Sequence, residues 1–165
     1  MDLLNSELFH YTACGLDNIY LASGVNNVKT DYGDGYSIHD ADDLHQVIGM
    51  LVALKPAELS SKEVKFIRVE LDLSQKELAA SLGVTDQSVS LWERGKQTIQ
   101  RAESLVLRAL MLDKAHGRVH IKSLIDHIDT IDFDEDVWAR LILGWRPTEE
   151  DSDGSHHWYE DKKRA

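Results

Sequence analysis

Between Leu59 and Gly117 apolar residues recur every three or four positions in four runs, each bounded by residues that start or stop helices. Ser60 with Glu63 forms a capping box, with Leu59 as its staple residue, ahead of Val64, Ile67 and Leu71, which predicts a helix to about Asp72. Ser74 with Glu77 forms a second box, and Leu78, Ala79 and Leu82 give the next short helix one apolar face before Gly83 stops it. Thr85 caps a third helix, in which Val89 and Trp92 point inward while Asp86, Gln87, Ser90 and Leu91 share an outward stripe, and Gly95 ends it. The fourth run predicts a longer helix from Thr98 to His116, apolar almost all the way round from Leu105 to Leu112.

The flanking segments read differently. Before residue 37, aromatic and β-branched residues alternate with Gly, Asn and Asp, which predicts short strands at Phe9 to Ala13, Asn18 to Ala22 and Val28 to Tyr32, a small β-meander turning at Cys14-Gly15-Leu16-Asp17. Asp40 caps a helix from Ala41 to Leu54, with Asp42 and Asp43 in its positive first turn, and Lys55-Pro56-Ala57 breaks it. Past Gly117, Ile121, Leu124, Ile125 and Ile128 mark one more short helix. Trp138 to Trp145 has strand alternation, Glu149 to Gly154 reads as a turn, and His156-His157-Trp158-Tyr159 reads either as the return strand of a hairpin or as a polar, partly disordered end. The expected class is α+β: a β-meander plus helix over residues 1–57, an all-helical domain over 58–117, and a C-terminal helix with a possible hairpin over 118–165.

Two short helices joined by a tight glycine turn form a helix-turn-helix. Gln75, Glu77, Leu78, Ala79, Gly83, Gln87, Ser88, Glu93, Gly95 and Lys96 stand where the Cro/repressor (XRE-type) helix-turn-helix family carries the same residues, and the resemblance covers roughly Ser61 to His116. The resemblance implies a lambda-repressor-like domain whose recognition helix, Thr85 to Arg94, enters the major groove of double-stranded DNA. It implies base contacts from Asp86, Gln87, Ser90 and Leu91, phosphate contacts from Gln75, Thr85, Arg94 and Lys96, and a partly buried Arg68–Glu93 pair that orients the helix. A homodimer is also implied, with the Leu105 to Leu112 and Ile121 to Ile128 helices as its candidate interface, although those faces serve equally well as intramolecular core. The whole layout is similar to that of MqsA-type antitoxins, but their zinc is held by two CxxC pairs and here only Cys14 remains.

Charge and chemistry narrow the picture. The net charge is −11, an unusual balance for a nucleic-acid binder, yet residues 62–101 carry 7 basic and 6 acidic side chains. Residues 1–61 carry 2 and 9, and residues 102–165 carry 9 and 14, so the acidity lies outside the helix-turn-helix. Such a body suits either plain solubility or a basic partner protein. One cysteine excludes an internal disulfide, the start lacks a leader pattern, and no window resembles a membrane span, so a cytoplasmic protein is expected. His10, Cys14, His39 and His45 assemble into a metal site only on paper, so neither metal nor cofactor is expected. His39, Asp40, Asp42, Asp43 and His45 are the one dense acid and imidazole group; a metal-assisted hydrolase is its enzyme reading, and the polar first turn of a helix accounts for it without chemistry. The expected function is a sequence-specific transcriptional regulator without enzymatic activity. The alternative is the antitoxin of a type II toxin–antitoxin pair, which represses its own operon and binds a basic toxin.

Overall fold

A computed structural model of the chain describes residues 8–146 and 158–162. In chain order the elements are β1 (Phe9–His10), β2 (Ile19–Leu21), β3 (Val25–Thr30), β4 (Gly33–Ile38), α1 (Ala41–Leu54), α2 (Ser61–Glu70), α3 (Gln75–Leu82), α4 (Asp86–Glu93), α5 (Arg101–His116), α6 (Ile121–Thr130), α7 (Glu135–Trp138), β5 (Leu141–Trp145) and β6 (Trp158–Glu160). The class is α+β, strands first and a helical helix-turn-helix domain after them. Contacts divide the chain into two compact units, one of residues 1–47 and 134–165 and the other of residues 48–133.

In the first unit the strand pairing differs from a meander. β1 and β2 pair antiparallel as expected, with Phe9 opposite Leu21. The third expected strand instead pairs with β4 in a separate hairpin, from Val25 opposite Ile38 to Thr30 opposite Gly33. The free edge of β2 is taken by β5, in parallel, with Ile19, Tyr20 and Leu21 opposite Leu141, Ile142 and Leu143. Burial explains the choice. Leu141, Ile142 and Leu143 are all buried, as a strand covered on both faces requires, whereas β3 and β4 are largely exposed and could not fill that position. Gly33-Asp34-Gly35 has poor strand propensity, which hid β4 in the sequence, and pairing overrides that preference.

β6 completes the four-stranded sheet β1-β2-β5-β6, with Trp158 opposite Trp145. This pairing forms the C-terminal hairpin expected from the sequence; the turn expected at Glu149 to Gly154, and His156 and His157, lie outside the described residues. Trp158 is 1% exposed, its Nε1 donates to the carbonyl oxygens of His39 (2.8 Å) and Asp40 (3.2 Å), and its backbone N–H donates to Asp43 (3.0 Å). Asp40 accepts from the Asp43 backbone at 3.2 Å, so it caps α1 as the sequence indicated. An unexpected short helix, α7, begins at the end of the acidic run at 132–136, capped by Asp134 through the N–H groups of Asp136 and Val137, and takes up Trp138, so the strand expected from Trp138 starts only at Leu141.

The helical unit follows the caps closely. Ser60 and Ser74 both close full capping boxes with Glu63 and Glu77, Thr85 caps α4 through the Ser88 N–H, and Gly83 ends α3 in the left-handed conformation. α5 begins at Arg101 rather than Thr98, and its apolar run turns Leu107, Met111 and Leu112 into the core while Val106 stays exposed. Val64, Ile67, Leu78, Val89 and Trp92 are buried with them beneath the helix-turn-helix.

Gly24 has a φ of +78°, and a Cβ there would meet the side chains of Trp145 and Trp158 at 2.6 Å. Gly15 also has a positive φ, +86°, but faces open space. Gly15→Ala should therefore cost only about 1–2 kcal/mol of backbone strain, whereas Gly24→Ala adds overpacking of about 1–3 kcal/mol. Urea titrations of the two variants measure the gap, and equal midpoints would contradict the packing around Gly24.

Candidate nucleic-acid interface

α4 is an eight-residue helix from Asp86 to Glu93 with Thr85 as N-cap and Arg94 as C-cap, so the residues expected to read DNA fall on one short element. Asp86 and Gln87 are exposed, and Ser90 and Leu91 are partly exposed along the same side. Val89 and Trp92, 0% and 3% exposed, occupy the opposite side and fix the rotation of the helix. Asp86 Oδ1 accepts from the Gln87 backbone N–H at 2.8 Å, which leaves Oδ2 without a hydrogen bond among the described residues. Gln87 carries its full set of side-chain donors and acceptors outward, since the structure gives its amide no partner among the described residues.

What aims α4 is a network around Glu93. Arg68 on α2 donates through Nε to Glu93 Oε1 at 2.5 Å and through Nη2 to Oε2 at 3.1 Å, a two-pronged pair whose side chains are 13% and 5% exposed. The same guanidinium donates through Nη1 to the Leu73 carbonyl at 2.7 Å, which ties in the α2–α3 connection. Gln75, the first residue of α3, donates its amide to Glu93 Oε2 at 2.8 Å. Burial alone would raise the Glu93 carboxyl, but the hydrogen bonds from Arg68 and Gln75 and the charge of Arg68 outweigh it and hold it below the usual carboxylate range. At the edge of the same surface, hydrogen bonds from the Ser74 backbone and hydroxyl hold Glu77 below its usual range.

The residues expected at phosphates flank this helix. Thr85 spends its hydroxyl on Ser88, accepting from its N–H at 3.1 Å and sharing a 2.9 Å hydrogen bond with its Oγ. Arg94 is exposed and donates through Nε to the Ser90 carbonyl at 3.2 Å, and Lys96 is exposed in the loop after α4. Gln75 is only partly exposed, and its bond to Glu93 gives it an orienting contact that sequence reasoning missed.

The paper metal set is scattered among other duties. His10 is stacked on Tyr20 and bonded to the Asp17 carbonyl, His39 is stacked on Trp145 and bonded to Asn26, and His45 shares a 2.8 Å hydrogen bond with the Tyr11 hydroxyl. Among the described residues no group of three or more His, Cys, Asp or Glu is placed to hold a metal ion. Among them, too, no helix is long and apolar enough to cross a membrane.

Removing one partner of the Arg68–Glu93 pair leaves a buried charge uncompensated, so Arg68→Met should cost about 3–5 kcal/mol. Because the Glu93 carboxyl is lowered on folding, its contribution is present above the unfolded value near 4.5 and is lost as pH falls through the lower folded value. Wild-type stability should therefore drop on acidification below that point, and the Arg68→Met variant should show a flatter dependence. Denaturation midpoints across the acidic range check both.

No curated protein and no solved structure matches the chain. The two capped helices, the glycine between them and the aimed, polar outer face of α4 coincide with a family model described as helix-turn-helix, which matches residues 64–107. That segment, from α2 into α5, is similar to helix-turn-helix domains of the XRE type.

Proposed function

We propose that the protein is a sequence-specific transcriptional repressor that places α4 in the major groove of its operator. The observation that carries this reading is the outer face of α4, where Asp86, Gln87, Ser90 and Leu91 are short, exposed or half-exposed groups suited to base edges, on a helix whose orientation is held by a buried ion pair. Gln87 makes a bidentate contact to adenine, Asp86 Oδ2 accepts from the N4 amino group of cytosine, and Leu91 meets a thymine methyl. Gln75, Thr85, Arg94 and Lys96 set the register against phosphates. A single recognition helix reads few base pairs, so the protein acts as a two-fold dimer on half-sites about 10 base pairs apart, with exposed Val106 and Ile121 available to the contact between copies.

The charge distribution supports a second activity compatible with the first. Residues 1–61 carry 2 basic against 9 acidic side chains, a surface that attracts a basic protein such as the toxin of a toxin–antitoxin pair. Purification of the complex with a basic protein encoded beside it would establish the antitoxin reading; DNA binding unaccompanied by any such partner leaves the repressor.

Selection of bound sequences from a random DNA pool tests the base assignments. A Gln87→Ala variant should relax preference at one position, a loss of about 1–3 kcal/mol of discrimination, and Asp86→Asn should raise affinity for all DNA while weakening preference for cytosine. Identical sequence logos for wild type and Asp86→Asn would confine Asp86 to its bond with the Gln87 N–H. Lys96→Ala should instead weaken binding to every sequence and reduce the salt slope by about one contact. Light scattering of the protein on the selected site reads the dimer, and a monomer on a site without a dyad would refute it.

A further inference from the structure

The helical unit contains a cavity away from the outer face of α4, where the segment joining α1 to α2 meets α5 and α6, with a volume of about 280 Å³. Leu59, Ile99, Leu105 and Ile128 give it apolar walls, and Ser104 and Arg108 line it as well. Arg108 is 2% exposed. Its Nε donates to Ser104 Oγ at 3.2 Å, Nη1 donates to the carbonyls of Ala53 (2.9 Å) and Lys55 (2.6 Å), and Nη2 donates to the carbonyl of Ala57. A guanidinium has five N–H donors, so one on Nη2 has no acceptor among the described residues. Ser104 uses its oxygen to accept from Arg108, and its own hydroxyl proton likewise has no acceptor among them.

The electrostatics of the site are as incomplete as its hydrogen bonding. Carbonyl oxygens satisfy the geometry of a guanidinium without neutralising it, and a buried charge is ordinarily paired. Glu63 acts on Arg108 through space, and its Oε2 accepts from Lys55 Nζ at 2.6 Å and from the Ser60 N–H at 2.8 Å. Burial lowers Arg108 to about 10, which leaves it cationic at neutral pH. The cavity therefore offers two neighbouring donors, one of them charged, beside apolar walls.

We propose that this cavity binds a small monocarboxylate with a short apolar tail, whose two oxygens accept from Arg108 Nη2 and from the Ser104 hydroxyl. Its tail lies against Leu59, Ile99 and Ile128. The volume falls just below the roughly 300–1,000 Å³ of sites that take drug-sized ligands, which limits the tail to a few carbons or one ring. Two carboxylates also line the cavity, exposed Glu58 and Asp129, the latter paired with Arg101 at 2.7 Å. With Asp129 paired to Arg101, which also lines the cavity, Glu58 is the group that repels a second negative charge on the ligand and so selects against dicarboxylates.

Isothermal titration of the full chain with butyrate, hexanoate, octanoate, benzoate and phenylacetate tests the assignment, with hexanamide, benzamide and adipate as the contrasting probes. At least one monocarboxylate should bind saturably at one site per chain, with its amide and the dicarboxylate about tenfold weaker or worse. Ser104→Ala should weaken that monocarboxylate about tenfold. Ile128→Trp, which fills the cavity from α6 without touching Arg108, should abolish binding while the helical circular dichroism signal is retained. The proposal fails if no monocarboxylate binds, if the amides bind equally well, or if the folded Ile128→Trp protein binds as wild type does.

Discussion

A buried carboxylate at the C-terminal end of a helix is in an unfavourable place twice over. The C-terminal end of a helix carries partial negative charge, and removal from water penalises the ionised form. Glu93 occupies that position on α4, 5% exposed in its side chain, so the fold must bring cationic donors to it. Arg68 and Gln75 do so from two different helices, and the Leu73 carbonyl takes another of the Arg68 donors. One demanding oxygen pair thereby fastens α2, the α2–α3 connection, the start of α3 and the end of α4 to each other. The outer stripe of α4 owes its direction to this network, although none of the three side chains lies on that stripe.

A second buried cation plays a comparable part for the connection between α1 and α2. Lys55-Pro56-Ala57 cannot continue a helix, and the carbonyls around it need donors. Arg108 on α5 gathers those of Ala53, Lys55 and Ala57, while Lys55 reaches across to Glu63 in the capping box of α2. An irregular stretch of chain is thus held by side chains from regular elements, which lets it line a cavity without having helical hydrogen bonds of its own.

Local hydrogen bonding made much of the helical unit legible. A capping box is decided by residues three apart, so Ser60 with Glu63 and Ser74 with Glu77 announce their helices wherever they occur, and both form. The outward stripe of α4 follows from the same helical spacing. Pairings between distant residues carry no such mark. β2 finds β5 some 120 residues later, and neither Asn18 nor Trp138, which share a hydrogen bond at 2.7 Å, has any sequence feature that names the other. Around the candidate interface, the ability of Arg68 to reach Glu93 was visible only through family resemblance, and the bond from Gln75 was missed because a glutamine and a glutamate 18 residues apart do not name each other. Arg108 was hidden differently: it is the one charged residue between Leu105 and Leu112, where apolar spacing gave it no assigned place, and it is among the most buried residues there.

The parallel pairing of β2 with β5 also fixes an order of events during synthesis. The strand that covers β2 emerges from the ribosome after every residue of the helical unit, because residues 48–133 lie between the two halves of the first unit. The helical unit is built mainly from neighbours in sequence and can organise as soon as it appears, while Ile19 and Leu21 wait for Leu141 to Leu143. Until then β2 presents an unpaired apolar edge, the kind of surface that chaperones hold and proteases inspect. The helical unit can thus be complete while the sheet of the first unit still lacks its later strands.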